Sequence, residues 1–265
     1  MTALRLGAVS YLNTKPLVYG LDAIPDQFEV RFDVPAKCAT LLHEWQVDLG
    51  LIPAIEFLRG AEDYWIVPGV AIASEGEVAS VAVFSKKPID QVESMALDLS
   101  SRTSVALTRI LCAKRWGIAP QFTAAEPDLR AMLARADAAL VIGDPAMAID
   151  AAALGLHKID LGGEWHALTG LPFVYAMWTG RQGAASAAQC SALRKAREQG
   201  EANLARIAAQ AGEGDAGRTD RALRYLRDNL KYGLGEREAA GLLRFHELGV
   251  ELGLAPGLKP LNFYS

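Results

Sequence analysis

From residue 4 to about residue 180, short apolar segments alternate with stretches whose apolar residues recur at helical spacing. The pattern predicts strands at Leu4–Val9, Phe28–Val34, Asp48–Ile52, Val67–Ile72, Ser80–Phe84, Met95–Leu97, Ala138–Ile142, Lys158–Leu161 and Phe173–Met177. It predicts helices at Lys15–Asp22, Ala36–Trp45, Thr103–Trp116, Pro127–Ala134 and Pro145–Leu154. This alternation is typical of an α/β protein, with a mostly parallel sheet covered by helices.

The α/β pattern occurs as two series, which join at Ser85-Lys86-Lys87-Pro88. After Thr179 the chain becomes rich in Ala, Arg, Glu and Leu, and the remaining predicted helices are Ala184–Ala211, Arg218–Leu230 and Glu236–Leu248. We therefore predict two lobes, with lobe 1 formed by residues 1–85 and 180–265 and lobe 2 by residues 86–179. The chain would cross to the second lobe, return, and finish with helices packed on the first.

Composition narrows the function classes. The 265 residues are 51% apolar and 22% charged, with a formal net charge of −4 and no basic face, which argues against a nucleic-acid partner. No run approaches the ~20 apolar residues of a membrane-spanning helix. The first residues show no secretory signal, and the three widely spaced cysteines indicate a reducing compartment, so we expect a cytoplasmic protein.

The most distinctive segment is Gly7–Leu17, where a strand ends near Ser10 and a helix begins near Pro16. Polar residues at the carboxyl end of a strand lie where open α/β sheets bind ligands. Tyr11 offers a ring and a hydroxyl, and Asn13 offers both a donor and an acceptor, so these residues and Ser10 are candidate ligand contacts. The alternative is that Asn13 only caps the following helix.

A second candidate is the hydroxyl-rich stretch within Leu97–Val105. A helix start surrounded by hydroxyl groups and free backbone N–H groups is suited to bind a carboxylate or a phosphate. Capping alone would need one hydroxyl, whereas this stretch has several, so we favour anion binding. The candidate residues are Ser100, Ser101, Arg102, Thr103 and Ser104. The stretch is not a P-loop, because it lacks the spaced glycines and the Gly-Lys-Ser/Thr ending.

Weaker candidates lie beside the predicted crossings between the lobes. Ser74 and Ser80 flank a turn that contains glycine, and Thr169 and Gly170 precede the strand that carries the chain back. All four are candidate substrate contacts by position.

Gly143 and Asp144 follow a buried strand and form another candidate pair. Asp144 either holds a ligand hydroxyl or caps the helix predicted from Pro145, and we favour the cap. The four histidines have no metal-ligand spacing, and neither a Gly-x-Ser-x-Gly elbow nor a recognisable Cys/His pair is present. An enzyme with this sequence is therefore expected to use no metal, no cofactor and no covalent nucleophile.

These segments resemble the MqnA family, the chorismate dehydratases of the futalosine route to menaquinone. The resemblance covers nearly the whole chain and is most specific in Val-Ser-Tyr-Leu-Asn-Thr-Lys-Pro-Leu, Ser-Ser-Arg-Thr-Ser and Thr-Gly-Leu-Pro-Phe. It implies a two-lobed fold like that of the type II periplasmic binding proteins, with a ligand cleft between the lobes. It also implies dehydration of chorismate to 3-[(1-carboxyvinyl)oxy]benzoate, with Asn13 tied to turnover and Ser80 close to the ligand.

Several points stay open at this stage. The base that takes the ring proton is either the enolpyruvyl carboxylate of the substrate or Asp144. The protein is a monomer or a homodimer. The alternative functions are a sister enzyme like the 1,4-dihydroxy-6-naphthoate synthases and a small-carboxylate-binding protein without catalysis.

Overall fold

The computed structural model describes residues 3–265, so Met1 and Thr2 of the predicted lobe 1 lie outside the described residues. The strands are β1 Leu4–Val9, β2 Phe28–Asp33, β3 Leu49–Pro53, β4 Tyr64–Ser74, β5 Val81–Ser85, β6 Ser94–Asp98, β7 Gln121–Ala125, β8 Ala138–Ile142, β9 His157–Asp160, β10 Phe173–Arg181 and β11 Asn262–Phe263. The α-helices are α1 Pro35–His43, α2 Ala54–Arg59, α3 Arg102–Leu111, α4 Leu129–Leu133, α5 Gly143–Ala148, α6 Leu161–Thr169, α7 Ala187–Ala202, α8 Leu204–Gly212, α9 Ala216–Arg224 and α10 Glu236–Glu251.

The strands form two sheets. The first has the order β11-β4-β10-β3-β1-β2, and the second has the order β7-β6-β8-β5-β9. In the first sheet, β1 is parallel to β2 and β3, and β11 is parallel to β4, whereas β10 runs antiparallel to β3 and β4. In the second sheet, β6 is parallel to β7 and β8, whereas β5 runs antiparallel to β8 and β9. The antiparallel strands are the ones that directly follow each passage between the sheets. The mixed α/β architecture predicted from the alternating pattern is thus present, with more antiparallel pairing than expected.

The chain leaves the first sheet after Ser74 and enters the second at Val81; it returns between Asp160 and Phe173. We call residues 75–80 and 161–172 the crossing segments. The boundaries predicted from sequence, at 85/86 and 179/180, lie later in the chain. As a result, β5 pairs within the second sheet and β10 pairs within the first.

Several elements differ from the sequence-based expectation. The segment predicted as a helix from Lys15 to Asp22 is a 3₁₀ helix at Leu12–Val18 followed by a 3₁₀ turn, because Pro16 lies inside it and has no N–H to donate. The helix expected from Pro145 ends at Ala148. The long helix expected over Ala184–Ala211 is divided at Asn203 into α7 and α8.

Gly200, near the end of α7, allows that helix to approach the 3₁₀ helix closely. A Cβ at this position would lie 2.1 Å from the carbonyl oxygen of Pro16, a distance that no side chain tolerates. The C-terminal helices therefore pack tightly behind the segment that carries Asn13. This contact fixes the position of that segment relative to the first sheet.

The main hydrophobic core is continuous from the first sheet to the second. Trp165, Phe173 and Phe245 form edge-to-face pairs with ring centroids 5.0–6.2 Å apart, and they join α6, β10 and α10 in one cluster. A smaller cluster around Phe84 and Met132 covers the outer face of the second sheet. Within residues 3–265, no helix is long and apolar enough to cross a membrane.

Candidate active site

A cavity of about 40 Å³ lies between the two sheets, at the carboxyl ends of β1, β3 and β8. Both sheets contribute to its wall, as do α1, α3 and the crossing segment 75–80. The fifteen lining residues are Val9, Tyr11, Asn13, Pro35, Pro53, Ile72, Val78, Ser80, Val81, Ser101, Ser104, Ile142, Gly143, Tyr175 and Ala176. None of these fifteen carries a carboxyl group, an imidazole or a basic group. The polar groups of the wall are hydroxyls, one amide and backbone groups.

Asn13 and Tyr11 reach the cavity from the end of β1. Tyr11 is the extended residue just before the 3₁₀ helix, and its ring lies against the Cα of Gly143 on the opposite side of the cavity. Gly143 has a φ of +69°, and a Cβ there would be 3.1 Å from the Tyr11 ring. Both the backbone conformation and the close approach of the ring therefore require glycine at this position.

Ser80 enters the cavity from a strained part of the crossing segment. Ala79, the preceding residue, has a φ of +65°, which is unfavourable for a residue with a Cβ. The Asp160 carboxylate holds it there, because it accepts hydrogen bonds from the backbone N–H groups of Val78 at 3.0 Å and Ala79 at 2.7 Å. The carbonyl of Ser80 accepts a hydrogen bond from Gly143 N–H at 2.7 Å. Ser80 is thus fixed relative to the second sheet, which contains β8 and β9.

The start of α3 forms another part of the wall. Ser101 caps the helix, accepting a hydrogen bond from Ser104 N–H at 3.3 Å, and the hydroxyls of Ser101 and Ser104 lie 2.9 Å apart. Both residues line the cavity. The first turn of this helix has no acidic residue, so the positive end of its dipole is not neutralised. This end of the cavity is suited to a carboxylate.

Thr103 and Arg102 point elsewhere. Thr103 Oγ1 accepts a hydrogen bond from Ile55 N–H at 3.2 Å, and Arg102 Nη1 donates to Glu56 Oε2 at 2.7 Å. Burial alone would raise the pKa of Glu56, but hydrogen bonds from His43, Arg102 and Arg59 outweigh it and lower the pKa to about 2. Both residues of α3 therefore tie the second sheet to α2 in the described arrangement and do not line the cavity.

The comparisons with known proteins agree with this architecture. A family model described as menaquinone biosynthesis matches residues 4–251. A curated chorismate dehydratase from Thermus thermophilus is 31% identical to this chain, and the match covers 96% of this chain and 98% of that protein. The chain belongs to the menaquinone-biosynthesis family. The resemblance drawn from the sequence motifs is confirmed.

Solved structures with a periplasmic-binding-protein-like fold resemble this family member over nearly its whole length. Protein AF1704 from Archaeoglobus fulgidus has a TM-score of 0.76 at 17% identity, covering 95% of this chain and 98% of that one. The alkanesulfonate-binding protein SsuA from Xanthomonas axonopodis pv. citri, bound to MOPS, has a TM-score of 0.72 at 15% identity, covering 97% and 95%. At these identities the likeness shows the fold alone, and it confirms the predicted fold class.

Ser74 and Ser100 lie beside the cavity of this menaquinone-biosynthesis family member. Ser74 is buried, and its hydroxyl lies 3.0 Å from the hydroxyl of Tyr175, a residue that lines the cavity. Burial raises the pKa of Tyr175, so its hydroxyl stays protonated. The backbone of Ser100 donates to Asp98 Oδ1 at 2.9 Å and accepts from Ala36 N–H at 3.1 Å, so it too links the sheets.

Asp144 is the second residue of α5 and does not cap that helix, which corrects the sequence-based preference, since α5 begins at Gly143, two residues earlier than expected. Its carboxyl lies outside the cavity wall. Desolvation raises its pKa, opposed by a hydrogen bond from Leu12 N–H and by the charge of Lys15. The carboxylate thus bridges the second sheet and the 3₁₀ helix.

Three further predicted residues lie away from the cavity. The side chain of Ser10 is exposed, and its N–H donates to Asp33 O at 3.0 Å. Thr169 donates to Trp165 O at 2.9 Å within the last turn of α6, and Gly170 ends that helix with a φ of +70°. In the described structure these residues terminate secondary structure, and none of them lines the wall.

The histidines also lie away from the wall. His43 contacts Glu56 and Tyr64, and His246 is buried with its Nε2 atom 3.0 Å from Ala54 O. Burial lowers the pKa of His246 to about 4. Across residues 3–265, no group of three or more His, Cys, Asp or Glu side chains is placed to hold a metal ion.

Sequence reasoning missed one polar residue that contacts two of the candidates. Tyr225 is fully buried behind the cavity wall, and its hydroxyl donates a 2.8 Å hydrogen bond to Ser80 Oγ. The Asn13 side chain, which also lines the cavity, lies close enough to the Tyr225 hydroxyl to lower its pKa. The available signal was weak, since this tyrosine occupies an apolar position of a predicted amphipathic helix.

Proposed function

We propose that this chain dehydrates chorismate to 3-[(1-carboxyvinyl)oxy]benzoate, as a step in menaquinone biosynthesis. Membership of the family and the 31% identity to the Thermus thermophilus chorismate dehydratase support the reaction. The observation that carries the proposal is the cavity, which offers uncharged hydroxyl and amide groups from both sheets and a helix start free of acidic side chains.

The substrate carries two carboxylates, and the start of α3 is the best place for one of them. The hydroxyls of Ser101 and Ser104 and the positive end of the helix dipole stabilise a negative charge without a cationic side chain. We assign the opposite part of the wall, formed by Asn13 and Ser80, to the ring hydroxyl that leaves. Hydrogen bonds to a leaving oxygen are effective because they strengthen as charge develops on it.

The reaction needs little from the protein besides orientation and polarisation. The ring proton is removed, the C–H electron pair becomes the third ring double bond, and the C–O bond to the adjacent hydroxyl breaks. The proton and the hydroxide together make one water. Aromatisation drives the step, so holding one conformer supplies much of the acceleration.

No carboxyl, imidazole or amine side chain of the described residues lines the cavity, and burial raises the pKa of Tyr11 and Tyr175, so both phenols stay protonated. We therefore assign the base to the substrate. The enolpyruvyl ether is attached to the ring carbon that loses its proton, and folding the side chain back over the ring brings its carboxylate to that proton. Asp144 is the reserve base, and its position beside Leu12 would require movement before it could meet the ring.

We further propose that each sheet with its helices acts as a lobe and that the lobes move about the crossing segments. A cavity of about 40 Å³ has room for only a few water molecules, far less than a six-membered ring with two carboxylates needs. We therefore take the described arrangement as the closed state and propose that the lobes open to admit the substrate.

The decisive experiment mixes purified protein with chorismate and follows the product by absorbance and mass spectrometry. We expect a product that has lost one water and kept its enolpyruvyl group. Chorismate that binds without being consumed would instead indicate a carboxylate-binding protein. No binding and no turnover would refute the substrate itself and leave the naphthoate-synthase-like alternative to be tested.

We propose the cytoplasm as the site of action. The buried, unpaired state of Cys38, Cys112 and Cys190 supports a reducing compartment. Burial raises the pKa of Cys38 and Cys112 to about 12, so neither thiol is a reactive thiolate. Cell fractionation with an antibody to the chain tests the location, and light scattering on the eluted peak distinguishes a monomer from a homodimer.

A further inference from the structure

Tyr225 lies where the C-terminal helices meet the crossing segment that carries Ser80. The helix α9 ends at Arg224, and a π-helical turn at Tyr225–Asn229 follows directly. Such turns are rare and occur preferentially at functional sites, because they place one side chain where a regular helix would not. Here the turn directs the tyrosine towards the back of the cavity wall.

The contacts of Tyr225 determine which way two hydroxyl protons point. A phenol has one proton, and that of Tyr225 is donated to Ser80 Oγ at 2.8 Å. Asn13 lies close enough to this phenol to lower its pKa, and with the phenol proton already donated only the Nδ2–H group of Asn13 could bond the phenol oxygen. The hydrogen bond from Tyr225 to Ser80 thus sets the direction of donation on this side of the cavity.

This direction leaves one free donor and one free acceptor at the cavity. Because Ser80 Oγ accepts from Tyr225, its own proton is available to an acceptor in the cavity. The Oδ1 atom of Asn13 accepts only a long hydrogen bond of 3.5 Å, from Thr14 Oγ1, so it remains available as an acceptor. A leaving hydroxyl requires such a pair, since it is both a donor and an acceptor.

Tyr225 remains a donor at any physiological pH. Burial raises its pKa, and the neighbouring carboxylates of Asp144 and Asp160 add to this effect, while the hydrogen bonds with Ser80 and Asn13 oppose it. The phenol therefore stays protonated, and the direction of donation does not reverse.

Contacts of the neighbouring residues hold the Tyr225 phenol in place beside Ser80. Asn229, at the end of the π-helical turn, donates through Nδ2 to Glu77 O at 3.0 Å. Lys231 exchanges two backbone hydrogen bonds with Ala73, the penultimate residue of β4. The segment 225–231 is thus attached to both ends of the crossing segment, and Tyr225 keeps its place relative to Ser80.

We infer that Tyr225 is a positioning residue, which orients the Ser80 hydroxyl as a donor and the Asn13 amide oxygen as an acceptor towards the leaving hydroxyl. The inference rests on the proposed dehydration and adds a residue to it. Tyr225 does not line the cavity, so it acts through Ser80 and Asn13 and makes no contact with the substrate.

The test compares Tyr225→Phe with Tyr232→Phe. Tyr232 is also buried in the C-terminal region, but its hydroxyl has no partner among the described residues, so it is a matched control for removal of a phenol oxygen. We expect Tyr225→Phe to lower kcat by roughly 10- to 100-fold and to leave KM within about 3-fold, as for an interaction that matters in the transition state. Tyr232→Phe should leave both constants unchanged.

A double mutant separates positioning from general damage. In a Ser80→Ala background, Tyr225→Phe should lower kcat by less than it does in the wild type, because part of its effect is already lost. A full, additive effect in that background would contradict action through Ser80. So would a kcat for Tyr225→Phe equal to that of the Tyr232→Phe control.

A crystal structure of Tyr225→Phe provides a readout that does not depend on activity. We expect Ser80 or Asn13 to adopt a new side-chain conformer in this variant and to keep its conformer in Tyr232→Phe. If the wild type fails to consume chorismate while this change occurs, the proposed substrate is wrong and the positioning role stands. If both side chains keep their conformers, the positioning role is wrong whatever the substrate.

Discussion

Ile55 donates its backbone N–H to the hydroxyl of Thr103 at 3.2 Å, so the first turn of α2 is bound to the first turn of α3. The contact is fully buried. It links α2, which follows a strand of the first sheet, to α3, which follows a strand of the second. It also uses the Thr103 hydroxyl, which the sequence assigned to the substrate. The effect of removing that hydroxyl should therefore appear in stability.

We expect Thr103→Ala to lower the free energy of unfolding by about 1–3 kcal/mol, because the Ile55 N–H would be buried without a partner. The value of KM should change by less than about 3-fold. Thr103→Ser keeps the hydroxyl and serves as the control in urea unfolding and steady-state kinetics. A large rise in KM with an unchanged unfolding free energy would show that this threonine does contact the substrate.

Ser101→Ala and Ser104→Ala should have the opposite signature. Their hydroxyls line the cavity, and the loss of a hydrogen bond to a carboxylate weakens binding by about 1.5–3 kcal/mol, or roughly 10- to 100-fold in KM. Ser186→Ala is the control, because Ser186 caps α7 far from the cavity. That variant should lose about 1 kcal/mol of stability at unchanged KM. If the α3 variants behave like it, their serines are only caps.

Asn13→Ala should abolish most of the turnover and leave the fold intact. Removal of one polar group aimed at a developing charge typically raises the barrier by ~3 kcal/mol, or ~100-fold in rate. Asn203→Ala, at the junction of α7 and α8, is the matched control and should retain full activity. Stopped-time assays with chorismate and thermal melts of both variants provide the measurement. Near-normal turnover by folded Asn13→Ala would remove this residue from the mechanism.

The Glu56 cluster predicts acid-sensitive stability. Its pKa of about 2 lies below the ordinary 4.5, so its contribution is fully present above pH 4.5 and is lost as the pH falls towards 2. The lowered pKa corresponds to about 3 kcal/mol of folding free energy. The side chain is nearly fully buried, so solvent screens this contribution little. Glu56→Gln should flatten the unfolding free energy between pH 4.5 and 2. Glu251→Gln, which removes an exposed ion pair with Lys114, should not.

Movement of the two lobes predicts coupled protection of distant segments. The product 3-[(1-carboxyvinyl)oxy]benzoate should slow amide hydrogen exchange at residues 10–14 and 100–104 together, because the two segments face the cavity from opposite sides. The exposed loop at residues 213–215 should exchange at its ligand-free rate and serves as an internal reference. Protection of only one segment would mean that the ligand is bound by one lobe alone.

The sequence predicts an element well when its buried residues form a regular apolar pattern along the chain. The strand β8 is buried at every position and reads as an uninterrupted apolar run. The helix α2 escaped prediction because five of its six residues are buried, which leaves no polar face to mark it as a helix. The strand β7 has no buried position and no alternation of apolar and polar residues, so it resembles a loop in sequence.

The residues of the candidate site likewise fall into those that local sequence identifies and those whose role depends on distant contacts. Ser101 and Ser104 could be found because adjacent hydroxyls before a helix have a local meaning. Tyr225 could not, because the residue it contacts lies 145 positions away in the sequence. From the sequence, Thr103 was assigned to the substrate. Residue spacing alone does not show that the buried backbone N–H of Ile55, in another helix, donates to the Thr103 hydroxyl.

The order of strands in the first sheet has a consequence for synthesis on the ribosome. The strand β10 lies between β3 and β4, and apart from the short C-terminal β11 it is the neighbour that β4 pairs with along its length. All strands of the second sheet, residues 81–160, leave the ribosome before β10 does. The nascent chain therefore completes its second sheet first, while the apolar eleven-residue β4 waits with both edges unpaired, a state that favours chaperone binding or aggregation.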